Sequence, residues 1–346
     1  MGSRPAIVPP SDRVLTSPGV HPSSGWTGGQ YSVCRALLGL AIALRVVSVL
    51  VAHPVENSAG SPGAVLVLAG AAIVAALLFA AGWRARLMAV LLLLLLPIVV
   101  VLAGAAVSPG GWGAAWLLLT HLAIPPAPYG SWEARGRTDP RGAWRMPAAL
   151  PWLHRLAFVA LAVALFARGA RAFDLVVALI LALLAMDPGW IPGKEIGTTR
   201  KRSANRRTAS AGPDTLFYDG TCGLCHGAVR FFLAEDARGG HLRFGTLQGR
   251  SFHRAVPAKE RAALPDSLVL VTRRDEILTR SRGVFHALAE TGGYWRVLAA
   301  VAGLLPVRLA DAVYDVVARV RHRLFRRPDE ACPLIPKDLR GRFLPD

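Results

Sequence analysis

Residues 88–107 read MAVLLLLLLPIVVVLAGAAV and carry no charged side chain. A stretch of about 18 or more such residues reads as a transmembrane helix, because a buried core helix rarely needs that length. The run is not alone. Six apolar segments are legible, at about 32–52, 63–82, 86–107, 111–126, 152–168 and 171–187. The fourth is short and ends in Pro125 and Pro126, which suits a tilted, broken or re-entrant segment. Overall the 346 residues are 53% hydrophobic, with the excess concentrated before residue 187. The first 30 residues are rich in Pro, Ser and Gly and lack an apolar centre, so a disordered tail is expected rather than a signal peptide.

Charge orients these segments. The net charge is +18, of which residues 1–211 hold +12 from 19 Lys/Arg against 7 Asp/Glu. In a soluble chain such an excess would suggest nucleic acid, but no nucleic-acid motif accompanies it, and basic loops on the cytoplasmic side explain it better. Arg84 and Arg86 lie in one loop, Arg135, Arg137, Arg141 and Arg145 in another, and a basic run follows the last segment. The loops at 53–62 and 108–111 carry no Lys or Arg. Six crossings with both ends cytoplasmic fit every loop except the turn holding Arg168 and Arg171. Ionisable groups in or beside these segments, among them Arg35, Arg45, His53, His121 and Asp174, are functional by default unless they reach the interface. Four regions result: a disordered tail at 1–30, a helical membrane domain at 31–190, a basic linker at 191–213, and a soluble α/β domain at 214–346.

The last region opens with TLFYDG, a strand that breaks at Gly220, followed by CGLCHGAVRFFLAEDA with helical spacing. HLRFGTL, SLVLVT and EILTR read as further strands, the last two joined as a hairpin. Helical stretches at about 282–305 and 308–326 close the region. Strand, helix, strand, helix, hairpin, helix is the thioredoxin-like order. It places Cys222 and Cys225 at the turn from the first strand into the first helix. Unpaired N–H groups and the positive end of the helix dipole stabilise a thiolate there. Cys222 is therefore the expected nucleophile. Cys225, one turn on, is the expected resolving thiol.

The C-x-x-C-H string also admits haem attachment or half a zinc site. Haem finds no methionine ligand after Met186. Zinc would take Cys222, Cys225, His226 and Cys332, without the second C-x-x-C that would make it strong. The helical half holds a single cysteine, Cys34, so it lacks the sulfur pair that thiol exchange within the bilayer requires.

YDGTCGLC, then FFLAEDARGGHLRFGTLQ, DSLVLV, RSRGVFHAL, GGYWRVLA and LADAVYDVVARVRHRLF together resemble the DCC family of thiol-disulfide oxidoreductases. The family is named for an Asp-x-x-Cys-x-x-Cys core, here Asp219, Cys222 and Cys225. The resemblance implies a thioredoxin-like fold, dithiol–disulfide exchange and a site that includes Asp219, either as proton acceptor or as turn holder. His226, Asp266 and Cys332 are auxiliary candidates. Pro265 is offset from the place where thioredoxin-like proteins put the proline facing the dithiol, so Asp266 or Ser267 is expected there instead. GWTGGQYSVCRALLG resembles the start of DoxX-like or HTTM-like helical bundles.

The resulting expectation is a multi-pass protein of the cell (inner) membrane. An all-α bundle of about six helices precedes a cytoplasmic thioredoxin-like domain with extra C-terminal helices. Its partners are the lipid bilayer and protein or low-molecular-weight thiol and disulfide substrates, with no nucleic acid. It needs no cofactor beyond the redox-active disulfide, and no metal. The rival expectation is a non-catalytic or zinc-binding module regulating a small membrane transporter or scaffold.

Overall fold

The computed structural model describes residues 26–54, 56, 59–142, 144–186, 213–236, 241–324 and 337–345. Nearly all of the expected disordered tail, the basic linker up to residue 212, and Cys332 lie outside the described residues. The chain is mostly helical, with several apolar helices in its N-terminal half and a small mixed sheet in its C-terminal half.

The N-terminal helices are α1 (Gly28–Ala52), α2 (Pro62–Ala81), α3 (Ala85–Leu102), α4 (Pro109–His121), α5 (Ala149–Arg168) and α6 (Ala172–Ala185). Local chemistry sets their starts. Thr27, Ser61 and Ser108 each accept a backbone N–H three residues on, and Pro62 and Pro109 fill the first helical positions. The third helix ends at Leu102, short of the expected 107, because the chain turns through Gly104 at φ 67°. Among the described residues four single helices, α1, α2, α3 and α5, are long and apolar enough to cross a membrane, and the bent pair at Gly293–Ala302 and Val307–Arg321 would make a fifth if it formed one span. With 13 and 14 residues, α4 and α6 fall short of the roughly 20 a span requires.

Ile42, Phe79, Leu92, Leu118, Ile180 and Leu181 interlock at the centre of these helices. The outer surface is as aliphatic as the interior, with Leu44, Val67, Leu156 and Phe166 exposed. A bundle that is apolar all round is compatible with membrane insertion, since water would penalise that outer face. Cys34 is buried and unpaired with another sulfur. Asp174 has a capping role, accepting from the backbone N–H groups of Gly110 at 2.9 Å and Arg171 at 3.1 Å.

The C-terminal sheet has the order β2-β1-β3-β4. Its strands are β1 (Asp214–Tyr218), β2 (Leu242–Thr246), β3 (Val269–Val271) and β4 (Ile277–Thr279). The β1 and β2 strands are parallel, whereas β3 runs antiparallel to both β1 and β4. Side chains alternate as the pleat requires. Leu216 and Tyr218 pack with helix α7 (Gly223–Glu235), whereas Phe217 packs with Phe252 of α8 (Arg250–Ala255) on the other face. The outer edge of β2 is not left open. Phe244 N–H donates to the Arg342 carbonyl at 2.9 Å, the Phe244 carbonyl accepts from Leu344 N–H at 2.8 Å, and Arg342 pairs with Asp236 at 2.7 Å.

A short helix, α9 (Ala258–Arg261), precedes β3, and three longer helices follow β4: α10 (Arg280–Thr291), α11 (Gly293–Ala302) and α12 (Val307–Leu324). The stretch expected as one helix at 282–305 is therefore two. Gly292 and Gly293 both adopt positive φ, which breaks the helical ladder between them. A last short helix, α13 (Lys337–Arg340), packs Leu339 into the core.

The two halves meet at the ends of helices. Glu235, the last residue of α7, is fully buried against the first turn of α1. Its carboxylate accepts from the Thr27 hydroxyl, from Gly29 N–H at 2.8 Å and from Trp295 Nε1–H at 2.7 Å. A side chain at position 29 would place its Cβ 2.5 Å from this carboxylate, so glycine is what lets α1 approach so closely. Around this contact Trp26 donates to the Met186 carbonyl at 3.1 Å and Tyr294 donates to the Leu183 carbonyl at 2.5 Å.

Candidate functional site

Cys222 is the N-cap of α7, in extended backbone geometry, and β1 delivers it there through the turn at 219–221. Its backbone N–H donates to the Asp219 carbonyl at 3.2 Å, and its carbonyl accepts from His226 N–H at 3.1 Å. Cys225 lies one turn further on, and both cysteines are free thiols. Burial, then the hydrogen bond and charge of Cys222, push the Cys225 thiol up to about 12. Cys225 therefore keeps its proton at neutral pH. Accessibility runs the other way from what an attacking Cys222 needs: Cys222 has 0% exposure, whereas Cys225 is half-buried.

Asp219 holds the turn. Its Oδ1 accepts from Thr221 N–H at 2.9 Å, from the Thr221 hydroxyl at 2.8 Å and from Gln248 Nε2 at 3.1 Å. Burial alone would raise its pKa. The Thr221 and Gln248 hydrogen bonds and the Arg321 charge outweigh burial and hold the carboxyl below the usual range. A carboxylate whose lone pairs are taken up by Thr221 and Gln248 is a poor proton acceptor, so the geometry favours the turn-holding role.

His226 contacts the turn and the first strand. Its Nε2 lies 2.9 Å from the Gly220 carbonyl, and its ring meets Tyr218 edge-on at 5.4 Å. In this orientation it braces the turn. Asp266 comes to the site indirectly, by pairing with Arg321 at 2.8 Å.

Arg321 is the residue that sequence reasoning passed over. It sits on α12, 4% exposed, with its guanidinium 3.8 Å from Asp219 Oδ2 and close enough to act electrostatically on both cysteines. A cation here stabilises a thiolate at the helix N-terminus and adds to the dipole. The signal was present in the periodicity. Ala310, Tyr314 and Arg321 share one face of α12 at steps of four and seven, and Tyr314 accepts the Leu268 N–H at 3.0 Å.

A dithiol at a strand-to-helix turn, capped by a buried arginine, is machinery for thiol chemistry. Residues 216–327 match the family described as DCC1-like thiol-disulfide oxidoreductase. This C-terminal region is thus similar to the DCC1-like domains. It is 29% identical, over 134 residues, to the uncharacterized protein YuxK of Bacillus subtilis (strain 168), an overlap covering 38% of this chain and 93% of that one. It is likewise 29% identical, over 119 residues, to the chloroplastic DCC family protein At1g52590 of Arabidopsis thaliana, covering 34% of this chain and 68% of that protein. No solved structure matches the chain.

A second cluster gathers Asp214, His286 and Glu290 with their ligand atoms within 4.8 Å of one another. Arg273 already supplies the cation there, lying 3.4 Å from Asp214 and 2.5 Å from Glu290. Asp214, Glu290 and Arg273 thus form an ion-pair network.

Proposed function

We propose that the chain is a membrane-anchored thiol-disulfide oxidoreductase of the protein-disulfide reductase type. The domain is read as thioredoxin-like and cytoplasmic, on a multi-pass anchor in the cell membrane. The observation that carries the reading is the pair of free thiols in the first turn of α7, beside Arg321. The sheet order β2-β1-β3-β4 and the DCC1-like match support it. The outward-facing aliphatic surface of the N-terminal helices supports the anchor.

The chemistry balances as two thiol exchanges. The Cys222 thiolate attacks one sulfur of a substrate disulfide, forming a mixed disulfide and releasing the other sulfur as a thiolate that takes a proton. Cys225 then loses its proton and attacks the Cys222 sulfur. The second substrate thiol leaves, the Cys222–Cys225 disulfide forms, and two electrons have passed to the substrate. A thiol reductant restores the dithiol. Attack at Cys222 requires displacement of the groups that cover it, since it has no exposed surface. Asp219 and His226 act as positioning residues by fixing the turn.

The test is a redox titration of the full chain in detergent against glutathione ratios, read by alkylation mass shift. A single two-electron transition confined to Cys222 and Cys225, between about −270 and −120 mV, is the expected result. Thiols that stay reduced throughout, or react only after a chelator is added, would overturn the reading.

Arg321 has its own expected outcome. Arg321→Met removes the cation beside the dithiol, which slows exchange at neutral pH about tenfold and moves the pH–rate profile to higher pH. Arg321→Lys restores part of the rate. A flat comparison of the two variants would assign Arg321 to structure alone.

A further inference from the structure

We infer that the outward face of α11 and α12 lies in the bilayer surface, at the boundary between headgroups and acyl chains. The inference rests on the membrane reading of the N-terminal helices.

Helix α12 is built inside out. Its inward face is polar. Asp311 Oδ1 accepts from the Ser281 hydroxyl at 2.5 Å, Asp315 pairs with Arg280 at 3.2 Å, and Arg321 pairs with Asp266. Its outward face is aliphatic, with Leu309, Val313, Val316 and Val317 each 43–58% exposed. At about 100° per residue these four form one stripe. The stripe continues onto α11 and the turn after it, where Val301 and Leu304 are 58% and 82% exposed. The chain bends by 112° between the two helices, so together they present a bent aliphatic ridge. A domain surrounded by water does not leave a ridge of this extent uncovered.

Three observations identify the bilayer as the cover. The ridge is continuous with the membrane half. In the first turn of α11, Tyr294 donates to the Leu183 carbonyl near the end of α6 and packs against Trp26 at 5.1 Å. From that contact the ten residues of α11 extend only about 15 Å. The charges also fit. Arg308 and Arg319 are exposed and fall, by helical spacing, along one flank of the stripe. A helix with an aliphatic face and basic flanks is suited to an interface carrying anionic lipid. Finally, α12 cannot cross the bilayer, because its polar face is committed to α10 and to the dithiol site. It lies on the membrane rather than spanning it.

The consequence concerns substrates. By the same spacing Arg321 falls about 90° round α12 from the middle of the stripe, so the reactive sulfurs sit within about one helix diameter, roughly 10 Å, of the acyl boundary. Disulfides held close to the membrane surface are the class within reach.

The test uses the full chain in vesicles of phosphatidylcholine and phosphatidylglycerol doped with a phospholipid bearing a photoreactive diazirine on its acyl chain. Adducts are mapped by peptide mass spectrometry. Adducts both in 62–102 and in 293–320 are the expected result. Adducts in 62–102 with none in 293–320 overturn the inference and leave the membrane reading standing. An absence of adducts in 62–102 overturns both. A dimer in native mass spectrometry with 293–320 unlabelled assigns the ridge to a second copy and also overturns the inference. Joint substitution V313E and V316E is expected to cut labelling of 293–320 at least tenfold while the dithiol titrates unchanged. Unaltered labelling in that variant would count against the bilayer contact.

Discussion

Cys222→Ser is expected to abolish thiol–disulfide exchange completely. The serine hydroxyl is isosteric at the N-cap and serves well there as a capping residue, so the fold is expected to persist. What disappears is the sulfur that opens the substrate disulfide. Cys225→Ser has a different expected result. It retains the first exchange and loses the second, so a mixed disulfide between Cys222 and substrate accumulates and is visible as an added mass. The pair of variants also decides which sulfur attacks. In the structure Cys225 is the more accessible thiol, but its proton is held tightly by burial and by Cys222. Mixed disulfide accumulating in Cys222→Ser instead would reverse the assignment, and full activity in Cys222→Ser would end the proposed function.

Glu235→Ala is expected to weaken the junction of the two halves by about 2–4 kcal/mol. Removing this carboxylate leaves the Thr27 hydroxyl, the Gly29 N–H and the Trp295 Nε1–H buried without their acceptor. It also removes a negative group from the N-terminus of α1, where the helix dipole favours one. The measurement is hydrogen exchange on the full chain, in which amides at 27–31 and 293–296 lose protection together while those of β1 do not. The pH dependence follows from burial, which raises the Glu235 pKa against the opposing hydrogen bonds of Thr27 and Trp295. An acid whose folded pKa lies above its unfolded value of about 4.3 gives greatest stability below that pH. Stability then falls as pH rises towards the folded value and levels off above it. Glu235→Gln removes this slope, so an unchanged slope in the Gln variant would assign the effect to another group.

A buried anchor of this kind was not legible in the chain as written. Glu235 stands at the C-terminal end of its helix, where the dipole disfavours an anion, and no local rule says which distant N–H groups compensate it. Its donors come from residues 206 to 208 positions earlier and 60 later. Arg321 was legible only in part. Helical spacing placed it on a face with Tyr314, but whether that face met solvent, lipid or sulfur depended on how α12 folds back over α7. The outward stripe of Leu309, Val313 and Val316 shows how easily such a face is misjudged, because aliphatic residues at helical spacing ordinarily point inward.

The sequence by itself determined the apolar helices, the short strands and the position of Cys222 and Cys225 at a strand-to-helix turn. Those features follow from local rules: run length against bilayer thickness, period-two alternation, and glycine at the breaks. It also carried enough of the family pattern for the DCC1-like region to be identified from its residues. Tertiary structure decided the rest. It turned His226 onto the Gly220 carbonyl, set Asp219 as the holder of the turn, placed Arg321 over the thiols and buried Cys222 beneath its neighbours. The physical reason is that charge, burial and accessibility at a site are sums over groups distant in sequence, and only packing brings those groups within range.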